Sequence, residues 1–153
     1  MIIELSNEKT RSFEFRLTAD AFKSYGDEFE GRPDQDGLLV QGRINRLNAQ
    51  SVELDFSVKG TMLYPCARCL KPTPVAVDFD FEDTIPVEAG SDTIDLVPFV
   101  EECLFINEPF RVLCSEECKG LCPGCGVNLN CEACQCDDTM DIDPRLEALK
   151  KLL

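Results

Sequence analysis

Cysteine is the residue type that gives this sequence its most distinctive chemistry, because the chain has ten of them, most at short spacings. Two Cys-x2-Cys turns are present, Cys66-Ala-Arg-Cys69 and Cys122-Pro-Gly-Cys125. A turn of this kind directs two sulfurs at one point and supplies half of a tetrahedral zinc site with four thiolate ligands. Gly126, directly after the second turn, permits the positive φ that lets backbone N–H groups approach the sulfurs. The spacing therefore predicts structural zinc.

Each turn needs two further thiolates, and the sequence leaves two partitions open. The economical partition forms two sites, each from one turn and one other pair: Cys66 and Cys69 with Cys114 and Cys118, and Cys122 and Cys125 with Cys134 and Cys136. The rival partition makes one local site from the four cysteines between 114 and 125, so the chain holds one zinc ion or two. Cys103 lies on the apolar face of a predicted helix and is expected to be a packed small residue. Cys131 has no required role.

Other uses of these cysteines fit the sequence less well. The spacing Cys118-x3-Cys122-x2-Cys125 occurs in radical enzymes that bind a four-iron cluster and S-adenosylmethionine, but no parallel barrel follows it. A redox dithiol at 66–69 would precede a helix, whereas the prolines at 72 and 74 argue against one. Free thiols are disfavoured because 114–136 has too few apolar residues to fold without metal or cross-links. An iron–sulfur cluster stays an alternative that spacing alone does not separate from zinc.

The composition excludes several classes of function. The sequence has no histidine, which removes Ser-His-Asp and Cys-His nucleophile systems and every histidine-ligated metal site. A hydrophobic content of 44% in 153 residues fits a globular protein with a real core. No apolar run approaches the roughly 18–20 residues of a membrane helix, and the first residues do not resemble a signal peptide. We therefore expect a cytoplasmic, non-enzymatic protein with no membrane partner and no evident small-molecule substrate.

The charge is distributed unevenly along the chain. The net charge is −14, and residues 72–110 contain ten acidic and no basic side chains. Such a field repels phosphate backbones at long range and favours a basic protein partner. Only residues 32–71 carry a net positive charge, so an RNA contact would have to lie there. Within that segment the predicted patch consists of Arg46, Arg68 and Lys71, nearest the expected hairpin turn and the first Cys-x2-Cys turn.

Period-two alternation predicts an antiparallel sheet or small barrel in the first part of the chain. The predicted strands are 11–17, 38–46, 51–59 and 75–81, with 60–65 continuing the third strand or adding another. Asn48-Ala-Gln50 is the expected hairpin turn, residues 20–31 a short helix or turn, and the prolines at 72 and 74 are expected to break the chain.

The pattern becomes helical after the sheet. Apolar residues recur at helical spacing over 96–107, with Asp95 as the predicted N-cap and Pro98 in the first turn. A second, short helix is expected from Asp143 and Pro144 to the end of the sequence. The predicted class is α+β, with a β-rich domain and helix at 1–110 and a cysteine-rich zinc-binding segment and C-terminal helix at 111–153, packed as one unit.

These motifs together resemble the bacterial YceD family, also called large ribosomal RNA subunit accumulation proteins, and in particular a cysteine-rich branch of it. The resemblance covers essentially the whole chain and is carried by four segments: 113–130, Cys134-Gln-Cys136, 143–149 and Cys66-Ala-Arg-Cys69-Leu70. It implies a cytoplasmic protein needed for normal accumulation of 23S ribosomal RNA, with a role in large-subunit biogenesis and no known enzymatic activity. It carries over no catalytic residues.

Three hypotheses for the function follow. The first is a non-catalytic assembly factor that binds ribosomal RNA or a basic ribosomal protein. The second is an acidic adaptor that holds a basic partner through residues 72–110. The third, less supported by the residues, is a thiol-redox protein.

Overall fold

The computed structural model describes residues 1–5, 10–21, 30–88 and 90–136, which form mostly β-sheet with one α-helix and two groups of cysteines. The elements, in chain order, are β1 (Ile2–Glu4), β2 (Thr10–Leu17), a 3-10 turn (Ala19–Ala21), β3 (Arg32–Pro33), β4 (Leu38–Asn48), β5 (Ser51–Pro65), β6 (Pro72–Pro86), β7 (Thr93–Asp95) and α1 (Val97–Ile106). No helix in this part of the chain is long and apolar enough to span a bilayer.

The main sheet is antiparallel and built on two consecutive hairpins. β5 pairs with β4 along one side, where β3 adds a short pairing, and with β6 along the other. The β5–β6 ladder runs without a shift from Ser51 opposite Pro86 to Pro65 opposite Pro72. In the described residues β2 pairs only with β4 and β6 only with β5, so the sheet is open and the small-barrel alternative is not observed. β1 and β7 form a separate two-stranded sheet.

One face of the main sheet forms the core. The alternating residues Val52, Leu54, Phe56 and Val58 of β5 are all at most 1% exposed. Gly42 of β4 lies beside them, and a Cβ at this position would come within 2.6 Å of the Phe56 Cβ. The strand needs glycine here because a Cβ would meet the Asp55 carbonyl oxygen first, and because the Phe56 and Phe13 side chains fill the space beside it.

The helix covers this core, close to where the sequence predicts it. Val100, Cys103 and Leu104 of α1 are buried in the same cluster as the sheet residues. The helix begins at Val97, which puts Leu96 in the N-cap position, one residue after the predicted Asp95, and Leu96 makes no side-chain capping bond. Asp95 still serves the helix start, since its Oδ1 accepts the Val97 N–H at 3.2 Å.

The prediction that prolines break the chain before the last strand was also wrong. Pro72 and Pro74 lie inside β6, which is fifteen residues long and not the seven predicted from alternation alone. Proline is tolerated in a strand where its missing N–H would face away from the neighbouring strand. The predicted C-terminal helix and most of the predicted element at 20–31 lie outside the described residues.

Candidate metal centres

The first group of sulfurs, cluster 1, consists of Cys66, Cys69, Cys114 and Cys118, whose Sγ atoms all lie within 4.8 Å of one another. The Cys66 and Cys118 sulfurs are 3.9 Å apart, and those of Cys69 and Cys114 are 3.6 Å apart. The cluster brings together two parts of the chain separated by about 45 residues.

The sheet itself positions the first half of cluster 1. The Cys-x2-Cys turn at 66–69 is the connection between β5 and β6, and the Cys66 N–H donates to the Lys71 carbonyl at 2.9 Å to close it. Leu70 takes a φ of 60°, a left-handed conformation that tightens the turn. The β5–β6 ladder therefore determines where these two sulfurs point.

The second half of cluster 1 is held against this turn by polar contacts. The Ala67 N–H donates to the Val112 carbonyl at 2.9 Å, and the Leu121 N–H donates to the Arg68 carbonyl at 3.1 Å. The Arg68 Nη1 donates to the Cys118 carbonyl at 2.7 Å. These bonds bracket the two later cysteines and join the loop to the sheet.

The second group, cluster 2, consists of Cys122, Cys125, Cys134 and Cys136, again with all sulfurs within 4.8 Å. The Cys134 Sγ lies 3.1 Å from that of Cys122 and 3.6 Å from that of Cys125. The Gly126 N–H donates to the Cys122 carbonyl at 2.8 Å, and Gly126 has a φ of 75°. The glycine at 126 thus adopts the positive φ expected from the sequence.

Both clusters fit a closed metal site. A tetrahedral ion with Zn–S bonds of about 2.3 Å places its sulfurs about 3.8 Å apart, close to the separations found in cluster 1. All ten cysteines are free, so neither cluster is a set of disulfides. Each cluster offers four sulfur ligands and can hold one metal ion, and soft thiolates of this number suit zinc or iron–sulfur chemistry. The grouping is that of the two-site partition.

Backbone and amide donors stabilise thiolates in both clusters. The backbone N–H groups of Cys114 and Arg68 lower the pKa of Cys66 to about 6. In cluster 2 the Cys125 N–H and the Cys134 side chain lower the pKa of Cys122 to about 6. Such donors favour the deprotonated form of Cys66 and Cys122 that binds metal, whereas hydrogen bonds to neighbouring cysteines, first to Cys118 and Cys134 respectively, raise the pKa of Cys114 and of Cys136 to about 12.

One residue of this donor set was not anticipated from the sequence. The Asn130 side chain donates to the Cys118 sulfur at 3.3 Å and accepts the Lys119 N–H at 2.8 Å. It therefore links the loop that follows cluster 1 to one of that cluster's sulfurs. Asn128 supports it, because its Oδ1 accepts the Asn130 N–H at 3.0 Å. The Asn-x-Asn spacing is typical of asparagine turns and is the sequence feature that could have revealed this role.

The clusters differ in their access to solvent. Cys66, Cys69 and Cys118 of cluster 1 are buried, whereas Cys125 and Cys136 of cluster 2 are exposed. Cluster 1 is thus built into the protein interior, and cluster 2 is a surface loop.

The two remaining cysteines lie outside both clusters. Cys103 is buried against the sheet, as expected for a packed small residue, and burial raises the pKa of its thiol to about 11. Cys131 is exposed.

The three basic residues predicted to form one patch are not brought together. Arg46 pairs with Val52 at one end of the β5 ladder, whereas Arg68 and Lys71 lie beyond Pro65 at the other end. Thirteen strand residues at about 3.3 Å each separate these ends by roughly 40 Å. The patch prediction is wrong because it assumed that residues close to a turn in the sequence are also close to one another in space. Arg46 lies near the β4–β5 turn and the other two residues lie in the β5–β6 turn, and these turns are at opposite ends of β5.

Comparison with known proteins finds matches at both the family and the sequence level. Residues 81–153 match the model of the family described as "Large ribosomal RNA subunit accumulation protein YceD". The chain is 34% identical over 129 residues to "Uncharacterized protein YlbN" of Bacillus subtilis (strain 168), covering 76% of this chain and 74% of that protein. It is 32% identical over 126 residues to "Uncharacterized protein Rv2926c" of Mycobacterium tuberculosis (strain ATCC 25618 / H37Rv), covering 70% of this chain and 60% of that protein.

A plant protein also matches over a shorter region. "Large ribosomal RNA subunit accumulation protein YCED homolog 1, chloroplastic" of Zea mays is 32% identical over 60 residues, covering 39% of this chain and 20% of that protein. No solved structure matches the chain.

Proposed function

This chain belongs to the YceD family of large ribosomal RNA subunit accumulation proteins, and on that premise we propose that it acts in large ribosomal subunit biogenesis and supports accumulation of 23S ribosomal RNA. The observation that carries the proposal is the family match, which includes α1, the Cys114 and Cys118 half of cluster 1, and all of cluster 2. The role described for the family supplies the process, and the residues of this chain supply the manner in which it takes part.

The role we propose is non-catalytic. The sequence contains no histidine, so a histidine base is lacking for any nucleophile. The chemistry-bearing cysteines group into two sets of four in the described residues, and a set of four thiolates leaves no open coordination position for a substrate. A thiol-redox role is less supported, since the Cys66–Cys69 turn lies between two antiparallel strands and not before a helix.

We assign structural zinc to both clusters, with one ion in each. Cluster 1 would hold the loop around residues 112–121 onto the tip of the β5–β6 hairpin, and cluster 2 would fold the exposed loop that ends at Cys136. A segment with so few buried apolar residues gains its order from metal ligation.

We favour a basic protein as the direct partner, with ribosomal RNA as the alternative. The separation of Arg46 from Arg68 and Lys71 removes the most coherent cationic surface that the sequence offered. The acidic stretch at 72–110 includes β6, β7 and α1, so its carboxylates, apart from that of the buried Glu101, lie on folded structure that can present them to a basic partner. A basic ribosomal protein meets this requirement within the same process.

The test is genetic and biochemical. A strain of the source organism lacking the gene should show a lower ratio of 23S to 16S ribosomal RNA and fewer large subunits in sucrose gradients, restored by the wild-type gene. Affinity purification of the tagged protein from the complemented strain, with and without ribonuclease, separates the partners: retention after digestion indicates protein, and loss indicates RNA. An unchanged 23S to 16S ratio with a normal subunit profile would overturn the proposed function.

A further inference from the structure

The long outer edge of β6 is a surface that the metal centres do not explain. β6 spans fifteen residues and hydrogen-bonds to β5 along one side. Along its other side, the described residues include no paired strand. A strand edge of this length presents a row of backbone N–H and C=O groups that can template pairing with another chain.

Four positions identify which backbone groups face outward. Pro72, Pro74 and Pro86 are all even-numbered and have no N–H to give to β5. Thr84, also even-numbered, donates its N–H to the Asp83 Oδ1 at 2.7 Å. The odd-numbered Val87 instead donates across to the Gln50 carbonyl at 2.8 Å, on the β5 side.

Backbone groups of alternate residues point to the same side of a strand, so the even-numbered residues of β6 face away from β5. Between the prolines and Thr84 these are Ala76, Asp78, Asp80 and Glu82, which we call the open edge.

The side chains of the open edge are acidic and exposed. Asp78, Asp80 and Glu82 project from the face of the sheet opposite the core, in line with the exposed residues of β5. Asp78 has Lys59 of β5 at 3.4 Å, and no ion pair with Asp80 or Glu82 is present among the described residues. The charges are therefore only partly neutralised within the chain.

The other face of β6 is apolar at the same positions along the strand. Val75, Val77, Phe79 and Phe81 are half-buried and pack against the core. A cavity of about 190 Å³ lies beside the first three and is also lined by Asn107 and Pro109, which follow α1. A strand added to this edge would meet carboxylates on one face and apolar side chains on the other.

We propose that the open edge of β6 binds an extended basic protein segment as an additional strand, with Lys or Arg alternating with apolar residues. Strand addition draws affinity from the backbone and specificity from alternate side chains, and both components are present here. A second copy of this chain is disfavoured, because pairing two open edges places like charges opposite one another. An RNA strand is disfavoured by the same carboxylates. The inference rests on the proposed function only in that the cellular source of the segment would be a ribosomal protein.

The primary test uses a fluorescent peptide, Lys-Val-Arg-Ile-Lys-Val-Arg, titrated with the zinc-loaded full chain at low salt. Two matched controls are a peptide of the same composition with its basic residues grouped at one end, and the original sequence N-methylated at alternate residues. We expect at least about tenfold weaker binding for each control, because the first loses the face pattern and the second loses backbone donors. Equal binding of the N-methylated peptide would overturn strand addition.

Variants of the chain test the same geometry from the other side. Asp80→Asn removes one charge, and Asp80→Pro removes the same charge together with one outward N–H while leaving the β5 ladder intact. Asp80→Pro should bind the peptide several-fold more weakly than Asp80→Asn, whereas both should unfold at nearly the same temperature. Neutralising the three carboxylates together, with Asp78→Asn, Asp80→Asn and Glu82→Gln, should weaken binding about tenfold, since three exposed ion pairs are lost.

Amide hydrogen exchange locates the bound peptide. The N–H groups of Ala76, Asp78, Asp80 and Glu82 should exchange fast in the free chain and slow when the peptide binds. If they are already protected in the free chain, another segment covers the edge and the proposal fails. If single-stranded RNA and not the peptide protects them, the partner class is wrong. Either failure leaves the 23S to 16S ratio of the deletion strain unaffected, so the two proposals fail separately.

Discussion

Loss of metal from the two clusters should occur in two separable steps, with cluster 2 emptying first. The two sets of four sulfurs predict two zinc ions per chain, each with four sulfur ligands at about 2.3 Å. Cys125 and Cys136 are exposed and open to a chelator, whereas three of the four ligands of cluster 1 are buried. Titration with a chelator should therefore release one equivalent before the second.

Single substitutions give the size of each contribution. Cys69→Ser and Cys125→Ser should each leave one ion per chain, and Cys131→Ser, exposed and outside both clusters, should leave two. At free zinc about a hundredfold above the dissociation constant, the loss of one site lowers the unfolding midpoint by roughly 5–10 °C for a chain of this length. Cys69→Ser should lie at the upper end, because cluster 1 also holds the loop around residues 112–121 against the sheet.

The assays are elemental analysis for stoichiometry, X-ray absorption for ligand type and calorimetry for the midpoint. Hydrogen exchange after release of the first equivalent should show loss of protection over 120–136 with residues 66–71 unchanged. Simultaneous release of both ions would refute the distinction between an interior and a surface cluster. Iron with visible absorption would refute zinc, and equal losses in Cys69→Ser, Cys125→Ser and Cys131→Ser would refute the assignment of ligands.

Three further predictions concern the core and its titration. Leu104→Ala should lower the free energy of unfolding by about 2–5 kcal/mol, and Cys103→Ala by less than about 1.5 kcal/mol, because the first substitution deletes far more buried volume. Urea denaturation at fixed zinc measures both values. An equal loss in the two variants would contradict the packing of α1. Gly42→Ala should cost about 1–3 kcal/mol in the same assay, with Ser57→Ala on the opposite face as the control, since a Cβ at 42 meets Phe56 and Phe13. Burial, and to a smaller extent the charge of Glu108, raises the pKa of Tyr64 to about 12. The contribution of this shift to stability should therefore be complete below about pH 10 and be lost as the pH rises towards 12. Ultraviolet titration of the Tyr25→Phe variant checks this, and a Tyr64 phenol that ionises near pH 10 would contradict it.

Much of the sheet could be predicted from local patterns, because burial of one face imposes alternation. Residues 51–58 and 75–81 alternate clearly, and both lie in the long central hairpin. The short strands Ile2–Glu4 and Thr93–Asp95 could not be found this way, since three residues are too few to establish a period. β6 extends through Pro72 and Pro74 because, among the described residues, it has a neighbouring strand on one side only. Its position in the sheet is a property of the whole fold that no local window contains.

The candidate site shows the same division between local and long-range information. The two Cys-x2-Cys turns were visible in the sequence because their ligand geometry is local. The association of Cys66 and Cys69 with Cys114 and Cys118 depends on the bonds from Ala67 to Val112 and from Leu121 to Arg68, which join distant segments. Arg46 was misplaced relative to Arg68 for a related reason: the local pattern left open whether residues 60–65 continue the third strand or add another, and only continuation puts the two residues at opposite ends of one strand.

The division of cluster 1 between a hairpin tip and a later loop has a consequence for synthesis of the chain. Translation at about 5–20 residues per second makes Cys114 roughly 2–9 s after Cys69, given the 45 residues between them. From the completion of β6 at Pro86 until Cys114 is made, the nascent chain has its longest hairpin but carries only two of the four thiolates at its tip. A chain truncated before Cys114 would share that state indefinitely, so tight retention of the ion in cluster 1 marks a polypeptide whose translation has passed Cys118.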